Sequence, residues 1–355
     1  MKAIFGGLML VALLCSPGIA QNISFTYVTE IPTAADLGMP YAVATDAQGG
    51  LYYTLYSTGT NLSGCFYIAN PLSAPPADQH AIVDGGWDFT IPNGRGMTGV
   101  DVDSQGNVYV STDTGTAASS SIRKFGPAPD FELDFDFGAE GIYGNRFESV
   151  GLMTDSIVMG LLFDQVIFYD AQTGEVLHTA VLGENYHRDV AYNAATQDIY
   201  LSRNRTIDGY PVPVGTRLSG GSPTNLAGYT SVQINFIPQG GQVGQYGTKL
   251  QKLGYDPVNN LIMVVDSSGM AALGEGETYQ TNIAFYNPSN TQTPVARING
   301  SDSTSGPLRE TGDAEVAQIN GETYVFITDR NVDLFKRILV YKMQKGTEVG
   351  EWTLF

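Results

Sequence analysis

The sequence predicts an all-β chain: a six-bladed β-propeller of four-stranded antiparallel blades, with an N-terminal strand closing the last blade. Three observations lead there. A hairpin pattern recurs along the chain. An apolar strand ending in an aromatic residue trails most copies, so that each unit supplies about four strands. The composition holds 42 glycines, and no stretch has the long 3.6-residue periodicity of an amphipathic helix.

The clearest copy is Gly99-Val100-Asp101-Val102-Asp103-Ser104-Gln105-Gly106-Asn107-Val108-Tyr109-Val110-Ser111. Val100 and Val102 alternate with Asp101 before the turn, and Val108 and Val110 flank Tyr109 after it, which is the strand period of two. Asp103 occupies the first position of a type I turn, where its carboxylate accepts backbone N–H groups, and Gly106 stands where a positive φ is wanted. Residues 42–54 repeat this with Asp46 and Gly49. Residues 252–266 do so with Asp256, Pro257, and Asn259 in the glycine place. Residues 189–202 turn at Asn193, and residues 315–329 turn at Asn320-Gly321, a preferred hairpin dipeptide. Residues 148–160, turning near Thr154-Asp155, are the poorest copy.

The trailing strands are Cys65-Phe66-Tyr67, then residues 122–125, 166–169, 283–286 and 338–341. Residues 24–31 alternate like the outer strand of a preceding unit that does not exist. Such a strand fastens the last blade to the first, and the run Glu351-Trp352-Thr353-Leu354-Phe355 competes for that place. Residues 130–137 alternate acid and apolar without a fault, which reads as an outer edge strand whose charges discourage edge pairing, or as a surface Ca²⁺ site. Residues 208–228, rich in Gly, Pro, Ser and Thr, read as an insertion on one rim. Stacked sheets escape the usual limit on one core, so residues 21–355 are expected to form a single domain.

Residues 1–20 read as a secretory signal peptide: Lys2, an apolar run over residues 4–14, and Ser16-Pro17-Gly18-Ile19-Ala20 with cleavage after Ala20. The run is too short to span a bilayer, which takes about 20 residues. A secreted or periplasmic location follows. Cys65 is then the one remaining cysteine, in an apolar strand, and reads as a buried thiol. Asn22, Asn61, Asn204 and Asn299 each head an Asn-x-Ser/Thr triplet. The formal charge of −18, from 36 acidic and 18 basic residues, excludes nucleic acid and anionic lipid as partners, since no basic run is present.

In a propeller the first strand of each blade lines the central channel. Aligning the hairpins puts Ala42, Gly99, Glu148, Asp189, Lys252 and Glu315 at equivalent axial places. Converging oxygen ligands suit Ca²⁺ or a similar divalent cation, so Glu148, Asp189 and Glu315 are the candidate metal ligands. The competing account is that these charges solvate a channel mouth, with Lys252 neutralising one of them. His187, beside Asp189 and with Asp313 also close by, is the candidate general base. Tyr210, inside the predicted insertion, and Tyr229, just after it, are candidate ligand contacts. No Ser–His–Asp motif, phosphate loop or Cys-x-x-Cys occurs.

The pattern of residues 99–111 followed by residues 122–125 resembles NHL-type repeats and related six-bladed propellers, over most of the chain beyond the leader. Such propellers include binding modules, lyases and lactonases. More distantly the chain resembles regucalcin and gluconolactonase propellers, a likeness that implies a metal in the channel. Leu37-Gly38-Met39-Pro40 stands where that family carries a Glu before Gly-Pro. The expected function is therefore capture of a protein or small ligand by a monomer, through one face or the channel and without catalysis. The second expectation is a metal-dependent hydrolase or lactonase.

Overall fold

The computed structural model describes residues 23–33, 39–56, 64–73, 79–83, 96–117, 120–138, 141–207, 210–236, 250–266, 282–308, 310–330 and 336–346. Among these the chain is all-β. Its one helical element is the 3₁₀ turn Leu226–Gly228, and no helix is long and apolar enough to cross a membrane. The expected leader, the run 351–355, and Asn22 and Asn61 lie outside the described residues.

The chain opens with β1 (Ile23–Pro32). Next come β2 (Met39–Thr45), β3 (Leu51–Tyr56), β4 (Cys65–Ile68) and β5 (Gln79–Val83). They are followed by β6 (Gly96–Val102), β7 (Val108–Asp113), β8 (Ser121–Phe125) and the short β9 (Ile142–Tyr143). One bridge, Tyr56 to Gly96, joins these two groups into a single eight-stranded sheet. Separate four-stranded antiparallel sheets follow. The first holds β10 (Ser149–Thr154), β11 (Ile157–Leu161), β12 (Gln165–Asp170) and β13 (Val176–Val181). The second holds β14 (His187–Asn193), β15 (Asp198–Ile207), β16 (Tyr210–Ser219) and β17 (Thr230–Asn235). The third holds β18 (Leu250–Asp256), β19 (Leu261–Asp266), β20 (Asn282–Asn287) and β21 (Asn290–Ile298). The last sheet, in the order β1-β24-β23-β22, combines β22 (Thr311–Ile319), β23 (Glu322–Arg330) and β24 (Lys336–Lys345) with the N-terminal strand. This repetition is compatible with a propeller.

The turns form as their residues dictate. Asp46 accepts the N–H groups of Gln48 and Gly50, and Asp103 accepts those of Gln105 and Asn107. Gly49 and Gly106 take φ of +86° and +85°, which a Cβ would oppose. The Asp256 turn is one residue longer. Its carboxylate accepts the N–H of Val258 and Asn259, so the left-handed position falls on Asn260 (φ +54°) and not on Asn259. Asn320 and Gly321 both have positive φ (53° and 79°), the requirement of a type I′ hairpin.

The apolar faces meet between consecutive units. Leu51, Tyr53 and Phe66 of the first unit pack on Phe326, Ile338 and Val340 of the last. Val100, Val108 and Val110 pack on Ala42, Tyr52 and Cys65. Ile157, Met159 and Phe168 pack on Val190, Ile199 and Leu201. Cys65 is a buried free thiol, and burial pushes its ionisation well above the usual thiol range.

Two expectations fail. Residues 130–137 do not form an edge strand, and the outer strand of that unit is β9. Asp134 turns the chain by accepting the N–H groups of Asp136 and Phe137, Phe131 adopts φ +48°, and Phe137 is buried. The alternation is consumed locally: Asp134 also pairs with Lys124 at 3.0 Å. Residues 208–228 are not a rim insertion either. Most of them build β16, paired with β15 on one side and β17 on the other. Val214, Thr216 and Leu218 are buried with strand period. Pro211 and Pro213 oppose Thr206 and Asn204 of β15, beyond the stretch of β16 that β17 covers, so one side of the strand is unpaired there among the described strands.

Candidate functional site

The first strands of successive units pack side by side: β2 on β6, β6 on β10, β10 on β14, β14 on β18, β18 on β22, and β22 on β2. They enclose a cavity of about 160 Å³. Five of them carry a register shift near their first residues, at Pro40/Val43, Met97/Gly99, His187/Asp189, Leu250/Lys252 and Thr311/Ala314. In β10 the shift lies at the turn end, at Leu152/Thr154. A one-residue slip exchanges the two faces of a strand. Ser149 therefore takes the cavity position in β10, and Glu148 does not line it.

Lys252 crosses the middle of this arrangement. Its Nζ donates to the Thr98 carbonyl on β6 at 3.0 Å, to Ser149 Oγ on β10 at 3.2 Å, and to Asp189 Oδ1 on β14 at 3.1 Å. The Tyr41 ring centroid lies 5.3 Å away. Burial would lower the pKa of Lys252, but the carboxylates of Asp189 and Asp313 outweigh it and raise the value to about 12. Lys252 is therefore charged, as a structural cation.

Four carboxyl residues, Asp101, Asp189, Asp313 and Glu315, line the same cavity. Asp189 Oδ1 also accepts from Ser149 Oγ at 2.5 Å, and Oδ2 accepts the Leu253 N–H of β18 at 3.0 Å. Asp101 accepts Val102 N–H at 2.8 Å and Leu152 N–H of β10 at 2.7 Å. Asp313 accepts Ala314 N–H at 2.8 Å and Val43 N–H of β2 at 3.1 Å. Three alternate first strands thus each carry an aspartate that bonds the backbone of the following unit. Glu315 makes no hydrogen bond to any described residue.

Burial raises the Asp101 carboxyl to about 6, against the opposing pull of the Leu152 and Val102 N–H groups. Burial likewise raises Asp313 to about 7, although Lys252 pulls it down. Glu315 is raised well above the usual carboxyl range, by burial and then by the charges of Asp101, Asp313, Asp189 and Asp256.

The structure brings Asp189 and Glu315 to one cavity and leaves Glu148 outside it. Glu148 pairs instead with Arg188, whose guanidinium lies 5.1 Å from the Phe163 ring centroid. Among the described residues, no three His, Cys, Asp or Glu side chains stand together in a way that could hold a metal ion. His187 is fully buried away from the cavity. Nδ1 meets the Phe163 carbonyl at 2.9 Å and Nε2 meets Thr216 Oγ1 at 2.9 Å. Burial lowers its pKa to about 4. It is a neutral bridge between β14 and β16 with both nitrogens occupied, not a base facing a substrate. Tyr229 stacks on Phe168 at 6.0 Å and donates to the Gln197 carbonyl at 2.8 Å, so it serves packing. The side chain of Tyr210 lies outside the described part of the structure.

Sequence reasoning left Asp101 out of the site, although Val100-Asp101-Val102 places a carboxylate on a strand and not in the turn, which is the signal that finds it. Ser149 gives no signal without knowledge of the shifted bulge. Chemically, the cavity holds charge and accepts hydrogen bonds. Lys252, which would have to be neutral to activate Ser149, is kept protonated, and the Ser149 hydroxyl donates to the Asp189 carboxylate that also pairs with Lys252. No protein-family model matches the chain and no curated protein matches it in sequence, so nothing outside the chain identifies it with NHL-type or regucalcin-type propellers.

Proposed function

We propose that the chain is a six-bladed propeller, latched by β1 and exported from the cytoplasm, that captures a protein or small ligand through one face or its central cavity without catalysis. The observation that carries this reading is the commitment of the axial polar groups. Lys252, Asp189, Asp101 and Asp313 each bond the backbone of a neighbouring unit. Groups that hold strands together are not free to shuttle protons or attack a carbonyl. Two further observations support the ring: β22 returns to pack on β2, and an apolar cluster joins the last unit to the first. The signal-peptide pattern in the sequence of residues 1–20 supports export.

The test is twofold. Negative-stain images of the purified chain should show a ring of six spokes. A panel of lactones and nitrophenyl esters, assayed with and without Ca²⁺, Mg²⁺, Mn²⁺ and Zn²⁺, should give no turnover above buffer. Metal-dependent turnover that disappears in Asp189→Asn would replace the binding reading with the hydrolase.

A further inference from the structure

The outer edges of the sheets are guarded unequally. An unpaired edge strand offers a row of backbone N–H and C=O groups, and natural sheets blunt it with charge or proline. β1 carries Glu30 and Pro32, and β21 carries Pro294 and Arg297. β13 carries neither. Val176-Leu177-His178-Thr179-Ala180-Val181 contains no Asp, Glu, Lys, Arg or Pro, in a chain whose formal charge is −18. It pairs with β12 on one side and with no described strand on the other. Its side chains are bared as well. Val181 is 73% exposed, more than any other large apolar side chain among the described residues, and Val176 and Leu177 are 61% and 47% exposed.

The pleat decides what this edge presents. Leu182 N–H donates to the Asp164 carbonyl at 2.9 Å, on the β12 side. Backbone groups of an antiparallel strand point alternately to one neighbour and the other, so Thr179 and Val181 direct theirs away from β12. Leu177, Thr179 and Val181 share one face by the period of two. Phe168 pairs with His178 and Tyr169 with Val176, which makes Leu177 the extra residue of a bulge and the limit of the regular edge.

We propose that two copies of the chain pair antiparallel, β13 against β13, about a two-fold axis at Thr179. In that register the strand is complementary to itself. Thr179 faces Thr179 of the second copy, and the pair exchanges both backbone hydrogen bonds. Leu177 faces Val181, and His178 faces Ala180. Continuing the count, Glu175 falls opposite Gly183 and Glu184 opposite Gly174, so two acidic chains meet with no like charges opposed. A foreign strand would meet the same backbone groups, but this matching of apolar to apolar and acid to glycine belongs to the edge and its own copy. The contact is isologous and closes at two. The inference departs from the monomer expected from the sequence and goes beyond the binding reading. It stands on strand order and register, whatever the number of spokes. A dimer would present its capturing face twice, which strengthens the hold on a repeated partner.

The experiment is sedimentation of the full chain from low micromolar to submillimolar concentration, at low and high NaCl. The expected result is one monomer–dimer equilibrium, tightened by salt because screening weakens the repulsion between two acidic chains. Val181→Lys should weaken it at least tenfold, since the axis places the new ammonium against Leu177 twice. Val232→Lys, on the exposed outer strand β17, should leave it unchanged. Thr179→Cys should give a disulfide-linked dimer on mild oxidation, because a hydrogen-bonded pair holds its Cα atoms about 5.5 Å apart. Val232→Cys should not, and Cys65 is buried. Urea melts establish that each variant is folded. A chain monomeric at every concentration, an equilibrium undiminished in folded Val181→Lys, growth beyond two copies, or no cross-link in folded Thr179→Cys would each overturn the pairing.

Discussion

Lys252 and Arg337 are both buried cations, with side chains 1% and 3% exposed, yet they join different kinds of neighbour. Lys252 draws its acceptors from β6, β10 and β14, three strands of three separate units. Arg337 works where β1 joins the sheet of β22, β23 and β24. Its guanidinium holds Asp329 on β23 at 2.9 and 3.1 Å and Glu30 on β1 at 3.1 Å. It also holds Ser303 and the carbonyls of Gly306 and Pro307, in the connection before β22. A compact ammonium suits acceptors converging on a point, whereas a planar fork suits a carboxylate flanked by carbonyls. In a chain with twice as many acidic as basic residues, these cations serve the fold. The carboxyl groups left facing the cavity outnumber the one cation there.

The comparison can be broken by removing each hub. Arg337→Ala leaves Asp329 buried, deprives two carbonyls of a donor and loosens β1, and should cost about 3–5 kcal/mol in urea unfolding. Lys252→Met should cost less, by at least about 1 kcal/mol, because methionine fills the space and the acids around it can take up protons in place of the lost cation. Its cost should shrink from pH 8 to pH 5, as Asp101 and Asp313 take up protons. Equal, pH-independent losses would mean that the two environments do not differ in the way described. The next effect is steric. A Cβ on Gly99 would lie 2.7 Å from Val150 N, 2.8 Å from Ser111 Oγ and 3.0 Å from Ser149 Oγ. Gly99→Ala should therefore cost about 1–3 kcal/mol and disturb the Lys252 hub, seen as a lower urea midpoint.

The smallest effect sharpens the comparison from the acidic side. Glu315 titrates higher in the folded chain than in the unfolded one. The folded chain therefore binds the extra proton across that window, and stability falls as pH rises through it. Glu315→Gln removes this loss. Its urea midpoint should match the parent at pH 5 and exceed it at pH 8, by about 1 kcal/mol. A variant less stable than the parent at pH 8 would show that the carboxylate has a partner after all.

The legible parts of this molecule are those in which one residue decides one local geometry. Asp103 and Gly106 specify their turn without help from the rest of the chain, and β1 was readable because its alternation had no other place to pair. Residues 130–137 were misread because period two is necessary for a strand but not sufficient: Asp134 found closer donors in its own backbone. Residues 208–228 were misread for the opposite reason. Their Pro and Gly content speaks for a loop, but Pro211 and Pro213 fall on the stretch of β16 that pairs with β15 and not with β17, and an edge tolerates proline. The site was half legible. Asp189, Lys252 and Glu315 follow from counting back from the turns, but the count fails in β10 because its bulge sits at the other end, and a bulge leaves no mark in composition.

The pairing of β1 with β24 also bears on the order of folding. Phe25 stacks on Phe285 at 4.9 Å and Tyr27 meets Tyr341 edge-on at 5.8 Å, and Ile23 aligns with Lys345, so this strand finds its partners far away in sequence. Closing so long a loop costs chain entropy before any contact repays it. The sheets built from consecutive hairpins escape that cost, and the sheet that takes β1 as its edge is the slow one to complete.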